Sequence, residues 1–234
     1  MKKFMVLDGN SLIHRAFHAL PLLSNRQGVF TNAVLGFTTM LFKLIKQEKP
    51  DYIAVAFDEG RTFRHEEFKD YKAQRKPTPE ELRPQFPIIK KILTALNVQI
   101  FSLSGYEADD VIGILTQLGE KEGFENIVIT GDRDSLQLVS DHTRVMLTKK
   151  GISEIRGYDL NTVLEEFGLN PRQLIDVKAL MGDKSDNIPG IPGVGEKTAI
   201  KLIQQFGSLD GVMANLDEVS PPKLQEKLRQ YQEQ

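Results

Sequence analysis

Nine acidic residues of this 234-residue chain fall in short knots: Asp8 and Asp58 singly, then Glu107-Ala108-Asp109-Asp110, Asp132-Arg133-Asp134 and Asp183-Lys184-Ser185-Asp186. If they converge, they cannot do so as bare charges. Two carboxylates about 4 Å apart repel by about 4 kcal/mol at an effective dielectric near 20. Several such pairs rival the roughly 5–15 kcal/mol that holds a domain folded. Such a cluster must protonate or bind cations. Oxygen-only ligands in a chain without cysteine select Mg²⁺ or Mn²⁺. Two such ions about 3.5–4 Å apart clamp a phosphodiester, one activating water and the other stabilising the leaving oxygen. No nucleophilic Ser–His pairing competes with that chemistry.

Each knot also has a plainer reading. Asp8-Gly9-Asn10 is an ordinary turn signal. Glu107, Asp109 and Asp110 suit a helix N-terminus, where the macrodipole favours anions. Asp132 and Asp134 can cap the next helix, and Asp183 and Asp186 can be solvated loop residues. The four histidines, His14, His18, His65 and His142, show no ligand spacing and read as structural.

Two further stretches suit a polyanion. Ile188-Pro189-Gly190-Ile191-Pro192-Gly193-Val194-Gly195-Glu196-Lys197-Thr198-Ala199 has the pattern of a helix–hairpin–helix. Gly193 and Gly195 let backbone N–H groups approach a phosphate, the following helix N-terminus adds positive potential, and Lys197 and Lys201 reach neighbouring phosphates. Contacts of this kind hold the backbone and do not read sequence. The second stretch carries Arg61, Arg64, Lys69, Lys72, Arg75 and Lys76 interleaved with Phe63, Phe68 and Tyr71. Cations that track phosphates beside rings that stack on bases are the means of holding single strands, although such a run is also the pattern of a solvated helix face.

The elements that must position these groups alternate. Apolar runs at 4–7, 52–58, 98–103, 126–130 and 144–148 read as strands. Helical patterns lie at 11–20, 34–47, 80–96 and 107–122. Alternation of this kind predicts an α/β domain with a largely parallel sheet. Asp8, Asp58 and Asp132 each sit at or just past the C-terminal end of a strand, the edge where open α/β sheets bind ligands. Beyond about residue 155 the pattern turns helical, at 159–167, 171–181 and 197–205. The chain thus divides into domains 1–155 and 156–234. The net charge of −2 and 26% charged residues are ordinary for a globular chain, and no apolar run is long enough for a signal peptide or a membrane span. Absence of cysteine excludes disulfides and thiol nucleophiles.

Together the motifs Leu7-Asp8-Gly9-Asn10, Ala56-Phe57-Asp58, Tyr71-Lys72-Ala73-Gln74-Arg75, Gly105-Tyr106-Glu107-Ala108-Asp109-Asp110, Thr130-Gly131-Asp132-Arg133-Asp134 and Met181-Gly182-Asp183-Lys184-Ser185-Asp186 resemble the 5′-nuclease, or flap endonuclease, family, in its order and nearly end to end. The likeness is greatest to the 5′–3′ exonuclease domains linked to bacterial polymerases. It implies a PIN-like sheet flanked by helices, a helical arch at about 61–92, and a helical subdomain with the helix–hairpin–helix. It implies that Asp8, Asp58, Glu107, Asp109 and Asp110 serve one metal and Asp132, Asp134, Asp183 and Asp186 a second, with Asp132 able to lie between them. Lys72 and Arg75 then contact the scissile phosphate, Tyr71 stacks near the reacting nucleotide, and the glycine hairpin grips duplex DNA with K⁺ on its carbonyls. The implied substrate is DNA with a 5′ flap, nick or branched end, RNA-primed in some cases. A monomer is expected, in a bacterial cytoplasm near the nucleoid, with a polymerase domain or polymerase as partner and no membrane. All nine acidic positions of the pattern are filled. No polymerase segment follows Tyr231-Gln232-Glu233-Gln234, which leaves fragment and stand-alone readings both open.

Three other readings compete. A non-catalytic branched-DNA-binding module would keep the hairpin but not need nine acids. A PIN-type ribonuclease would cluster acids without the hairpin or the basic stretch. A phosphatase with an aspartate nucleophile wants a second Asp two residues after the first, where this chain has Asn10.

Overall fold

The apolar run at the N-terminus forms β1 (Lys3–Asp8), and the chain continues through α1 (Gly9–Ala19), α2 (Asn32–Glu48), β2 (Tyr52–Ala56), the short α3 (Phe63–Glu67), α4 (Gln85–Ala95) and β3 (Gln99–Phe101). Then come α5 (Ala108–Lys121), β4 (Glu125–Thr130), a 3-10 turn (Arg133–Leu138), β5 (Thr143–Thr148) and β6 (Ile155–Tyr158). The C-terminal part holds α6 (Leu160–Phe167), α7 (Gln173–Met181), α8 (Glu196–Phe206), α9 (Leu209–Ala214), a 3-10 turn (Leu216–Glu218) and α10 (Pro222–Gln230). This computed structural model describes residues 1–149, 151 and 154–231, so the last three residues of the expected C-terminal domain lie outside the described residues.

Two compact units emerge: Met1–Glu66 with Lys76–Asp159, and Glu67–Arg75 with Leu160–Gln234. The stretch expected as an arch at 61–92 is therefore shared between units. Within it, among the described residues, helix is confined to α3 and the start of α4. Pro77, Pro79 and Pro84 interrupt any longer helix there.

The first unit is built on a six-stranded sheet of order β3-β2-β1-β4-β5-β6, parallel except for the β5–β6 pair. Alternate residues of β1 serve opposite faces. Met5 and Leu7 join Leu12, Ile13 and Phe17 of α1, Phe37, Met40, Leu41 and Leu44 of α2, and Ile89 and Leu93 of α4 in one apolar core. Val6, Ala54 and Val128 are buried on the other face, on which α5 packs. Burial on both faces is why these strands read as continuous apolar runs. Gln85 at the start of α4 joins the layers: its Oε1 accepts from the Ala33 and Val34 amides at 2.8 and 3.1 Å and so caps α2, where Thr31 makes no side-chain cap.

In the second unit α7 leads into a tight connection and α8. The connection needs glycine at two places. A Cβ on Gly190 would lie 2.1 Å from the Met181 carbonyl carbon, and one on Gly182 (φ +71°) would lie 2.3 Å from the Gly190 nitrogen. Ile191, Val194 and Ala199 bury themselves beneath the turn.

Candidate active site

The sheet register assembles the first-unit acids. Asp8 lies beside Ala56 of β2, and its neighbour Leu7 beside Ile129 of β4. Asp58 and Asp132 follow two residues after Ala56 and Thr130. All three carboxylates thus gather where β1 meets its neighbours and the strand order reverses, the crevice in which open α/β sheets take ligands.

Asp8 is 5% exposed. One oxygen caps α1 by accepting from the Ser11 amide at 3.0 Å, and the other accepts from the Thr130 hydroxyl at 2.7 Å. Burial pushes its carboxyl up from 3.8 to about 6. The Thr130 and Ser11 hydrogen bonds pull downward, while Asp58 and Asp132 add repulsion that raises it further. The Thr130 hydroxyl also accepts from the Asp132 amide at 3.0 Å, so one side chain ties two of the acids together. Asp132 in turn caps the 3-10 turn through the Asp134 amide at 2.9 Å. Asp58 accepts from the Asn10 amide group and from the Ala108 backbone, each at 2.8 Å.

Glu107 and Asp110 form a capping box on α5, with the Glu107 amide donating to Asp110 at 2.9 Å. Arg64 grips Asp110 with two hydrogen bonds at 2.7 and 2.8 Å and stands 3.9 Å from Glu107. That bidentate pair places Arg64 on the acids, whereas the sequence suggested a phosphate contact. Asp109 is exposed on α5, and Arg61 and Lys76 are exposed as well. The plain capping roles are therefore real for Asp8, Glu107 and Asp132, and they fix the same carboxylates at the sheet edge.

The second unit carries the remaining acids. Asp183 and Ile188 exchange backbone hydrogen bonds of 2.9 and 2.8 Å across a narrow turn. Asp183 pairs with Lys178 and accepts from the Ser185 amide and hydroxyl at 2.7 and 2.6 Å. Burial alone would raise its carboxyl, but the Lys178 ammonium and Ser185 outweigh it and hold the group at about 2. Asp186 accepts from the Tyr71 hydroxyl at 3.1 Å and from Arg75 at 2.5 Å, and lies 3.9 Å from the Lys72 ammonium. The Lys72 amide donates to the Asp186 carbonyl at 2.9 Å, and Asn187 donates to the Asp70 carbonyl at 2.8 Å. Tyr71 is 5% exposed, so in this structure its ring is packed rather than open to a nucleotide. Beyond this turn, Gly193 (φ +83°), Gly195, Lys197 and Lys201 are all exposed, and Gly195 caps α8.

Among the described residues no three of these acids form a ready-made ion-binding group. Their chemistry nevertheless fits a hard divalent cation: every donor is a carboxylate oxygen, and Asp8 is a buried acid driven toward protonation by its surroundings and its acidic neighbours. Sequence reasoning did not single out Thr130, Ser11, Asn10 or Lys178. Thr130 and Asn10 stood inside quoted motifs, and Lys178 sits in the last turn of α7, where cations are favoured; Ser11 had no signal beyond proximity to Asp8.

Residues 3–168 match the family described as 5′–3′ exonuclease, N-terminal resolvase-like domain, and residues 169–234 its C-terminal SAM fold. The chain belongs to the 5′–3′ exonuclease family. DNA polymerase I of Bacillus caldotenax is 53% identical to it over 99% of this chain and 27% of that protein, and DNA polymerase I of Bacillus subtilis is 53% identical over 100% and 27%. The chain thus spans about a quarter of the length of these relatives. Among solved structures, the bacteriophage T5 5′-exonuclease with bound zinc superposes with a TM-score of 0.80 at 27% identity, over 99% of this chain and 86% of that one. The catalytic core of Rad2 in complex with DNA substrate shares the fold, with a TM-score of 0.65 at 20% identity over 98% and 71%. Among the described residues of this exonuclease-family chain, no helix is long and apolar enough to cross a membrane.

Proposed function

We propose that this chain hydrolyses phosphodiester bonds in DNA from the 5′ side, as a 5′–3′ exonuclease and 5′-flap endonuclease that depends on two divalent ions. The observation that carries the reading is the buried Asp8 flanked by Asp58 and Asp132 at the reversal point of the sheet, in a chain of the 5′–3′ exonuclease family. Asp8, Asp58, Glu107, Asp109 and Asp110 are the carboxylates proposed for one Mg²⁺ or Mn²⁺. Asp132 and Asp134 in the first unit, and Asp183 and Asp186 in the second, are proposed as further metal carboxylates. The bound ions would supply Lewis acidity toward the phosphate and a nucleophilic water.

The chain's own groups bind and orient. Thr130 holds the Asp8 carboxylate and the Asp132 backbone in one arrangement. Lys72 and Arg75, resting on Asp186, exchange that carboxylate for a phosphate when substrate arrives. Arg61 and Lys76 in the first unit, and Lys197 and Lys201 in the second, are proposed to contribute positive charge toward DNA, and Arg64 would be released from Asp110 toward a phosphate if a cation took over the charge of the acids. The exposed hairpin at Gly193 and Gly195 would grip the duplex backbone, and its carbonyls are the groups proposed to hold K⁺. Zinc in the T5 relative and DNA bound to the Rad2 core support metal and DNA as ligands. The relatives named DNA polymerase I support a polymerase as partner, and a monomeric unit in the bacterial cytoplasm acting on primers and repair intermediates is part of the same proposal.

The test is a 5′-labelled flap substrate in Mg²⁺ and in EDTA, beside a blunt duplex and a single-stranded RNA. Mg²⁺-dependent cleavage near the flap junction is expected. Binding without cleavage returns the non-catalytic module, and cleavage of RNA alone returns the ribonuclease. Asp109→Ala and Asp132→Ala should abolish cleavage while DNA binding persists; a variant that still cuts removes that residue from the metal assignment.

A further inference from the structure

Two aromatic rings stand side by side on the surface of the first unit, next to the acids. Phe63 and Tyr106 are 36% and 43% exposed, and their ring centroids lie 5.6 Å apart at 59°. Their pairing is built by backbone. The Phe63 amide donates to the Gly105 carbonyl at 3.0 Å, within a parallel bridge between Thr62 and Gly105. Gly105, at φ +85°, turns the chain so that Tyr106 follows directly. On the other side, the Arg64 guanidinium lies 4.6 Å from the Phe63 ring centroid while its nitrogens hold Asp110. Tyr106 immediately precedes Glu107 in the chain. Two exposed rings, held together by the main-chain bond between Phe63 and Gly105 and tilted 59° to one another, with a cation against one of them and Glu107 next in the chain, form an open aromatic corner at the edge of the acidic site, in which a base can stack on one ring and meet the other edge-on.

We infer that Phe63 and Tyr106 form a stacking platform for an unpaired nucleobase of the 5′ strand, beside the phosphate to be cut. The inference rests on the phosphodiester reading of Asp8, Asp58, Glu107 and Asp110. A flap presents unpaired bases, and every base has a π face, so a platform of this kind holds the strand without reading its sequence. Hydrophobic burial of the rings is completed by the base, which explains why the folded chain leaves them open. Phe63 and Tyr106 are positioning residues: they fix the nucleotide whose phosphate must reach the carboxylates.

The test compares wild type with Phe63→Leu and Tyr106→Leu on flap substrates carrying either a natural base or an abasic site at each of the first few unpaired positions, in single-turnover cleavage with Mg²⁺. Phe63→Tyr and Tyr106→Phe serve as conservative rescues, and circular dichroism checks that each variant is folded. Loss of one stacked base is expected to slow wild type by roughly tenfold or more at one position. The Leu variants should be slowed by a similar factor on the natural strand and be indifferent to the abasic site, and the ring-preserving variants should regain the rate. Leu variants that cut at the wild-type rate, or that suffer the abasic penalty in full, overturn the platform. Affinity is measured in parallel with EDTA, on the same flaps. If wild type fails to cut any flap, the nuclease reading falls. The platform then stands if wild type binds natural strand more tightly than abasic strand and the Leu variants do not, and falls if they bind alike.

Discussion

Asp8→Asn should make the metal-free protein more stable while ending its activity. The carboxyl of Asp8 is pushed from 3.8 to about 6. A group raised in the folded state stabilises the fold fully below its unfolded value of 3.8 and loses that contribution as pH climbs through about 6. At roughly 1.4 kcal/mol per pH unit, the gap between those two values amounts to about 3 kcal/mol withdrawn at neutral pH. Asparagine cannot ionise, so the variant escapes the loss. It keeps a good cap for the Ser11 amide. It must re-form the contact with Thr130 through an amide nitrogen, at a cost of about 1 kcal/mol. A net gain of about 2 kcal/mol remains, equivalent to several degrees in Tm for a protein of this size. The assay is thermal unfolding in EDTA at pH 8 and at pH 5, repeated with Mg²⁺. The variant should unfold later than wild type at pH 8, and the advantage should shrink at pH 5, where Asp8 of the wild type takes up its proton. Mg²⁺ should raise the Tm of wild type more than that of the variant. A variant that is less stable at pH 8, or whose advantage ignores pH, refutes the account of Asp8 as a buried, strained carboxylate.

Three further outcomes follow from named contacts. Gly190→Ala forces a Cβ to 2.1 Å from the Met181 carbonyl carbon and should destabilise the C-terminal unit by about 3 kcal/mol or more in urea unfolding, whereas Gly195→Ala meets nothing within 4 Å and should leave unfolding nearly unchanged while weakening duplex binding. Thr130→Val keeps the volume but removes the hydroxyl shared by Asp8 and the Asp132 amide. It should cost about 1–3 kcal/mol of stability and weaken Mg²⁺ binding measured by calorimetry. Lys178→Met removes the ammonium that helps hold Asp183 at about 2. The group's stabilising effect is present above 3.8 and lost as pH falls toward 2, and solvent screening of this half-exposed pair keeps it small. The variant should therefore lose about 1 kcal/mol or less at pH 7, and the difference from wild type should fade in acid.

The parallel sheet was legible because β1, β2 and β4 bury successive residues on both faces, and β1 and β4 end on the polar Asp8 and Thr130, so apolar runs coincide with strands, although β2 stops at Ala56, two residues short of the acid expected to end it. β6 was not anticipated. Ile155-Arg156-Gly157-Tyr158 lies at the sheet edge, with two half-buried residues and an exposed glycine before the one buried residue, Tyr158, so no periodicity marks it. α9 and α10 escaped for a related reason: one is six residues long, and the other buries a single leucine, Leu228. At the site, strand-end acids announced themselves through local pattern. The partners that tune them did not, because Arg64 meets Asp110 across 46 residues and Tyr71 meets Asp186 across 115. Spacing in a chain carries no record of such encounters, and a cation or ring in a charged run looks the same whether it will face solvent or a carboxylate.

The interleaved boundary of the two units has a consequence for biosynthesis. Glu67–Arg75 is made early but belongs with residues made late. Tyr71 leaves the ribosome 115 residues ahead of Asp186, its hydrogen-bond partner. At roughly 5–20 residues per second, the segment waits on the order of ten seconds for the turn that receives it. During that interval the sheet can form around a loop whose tyrosine has no place to be buried. A chain halted near Asp159 would hold every strand of the sheet and the segment Glu67–Arg75, but not the residues with which that segment packs.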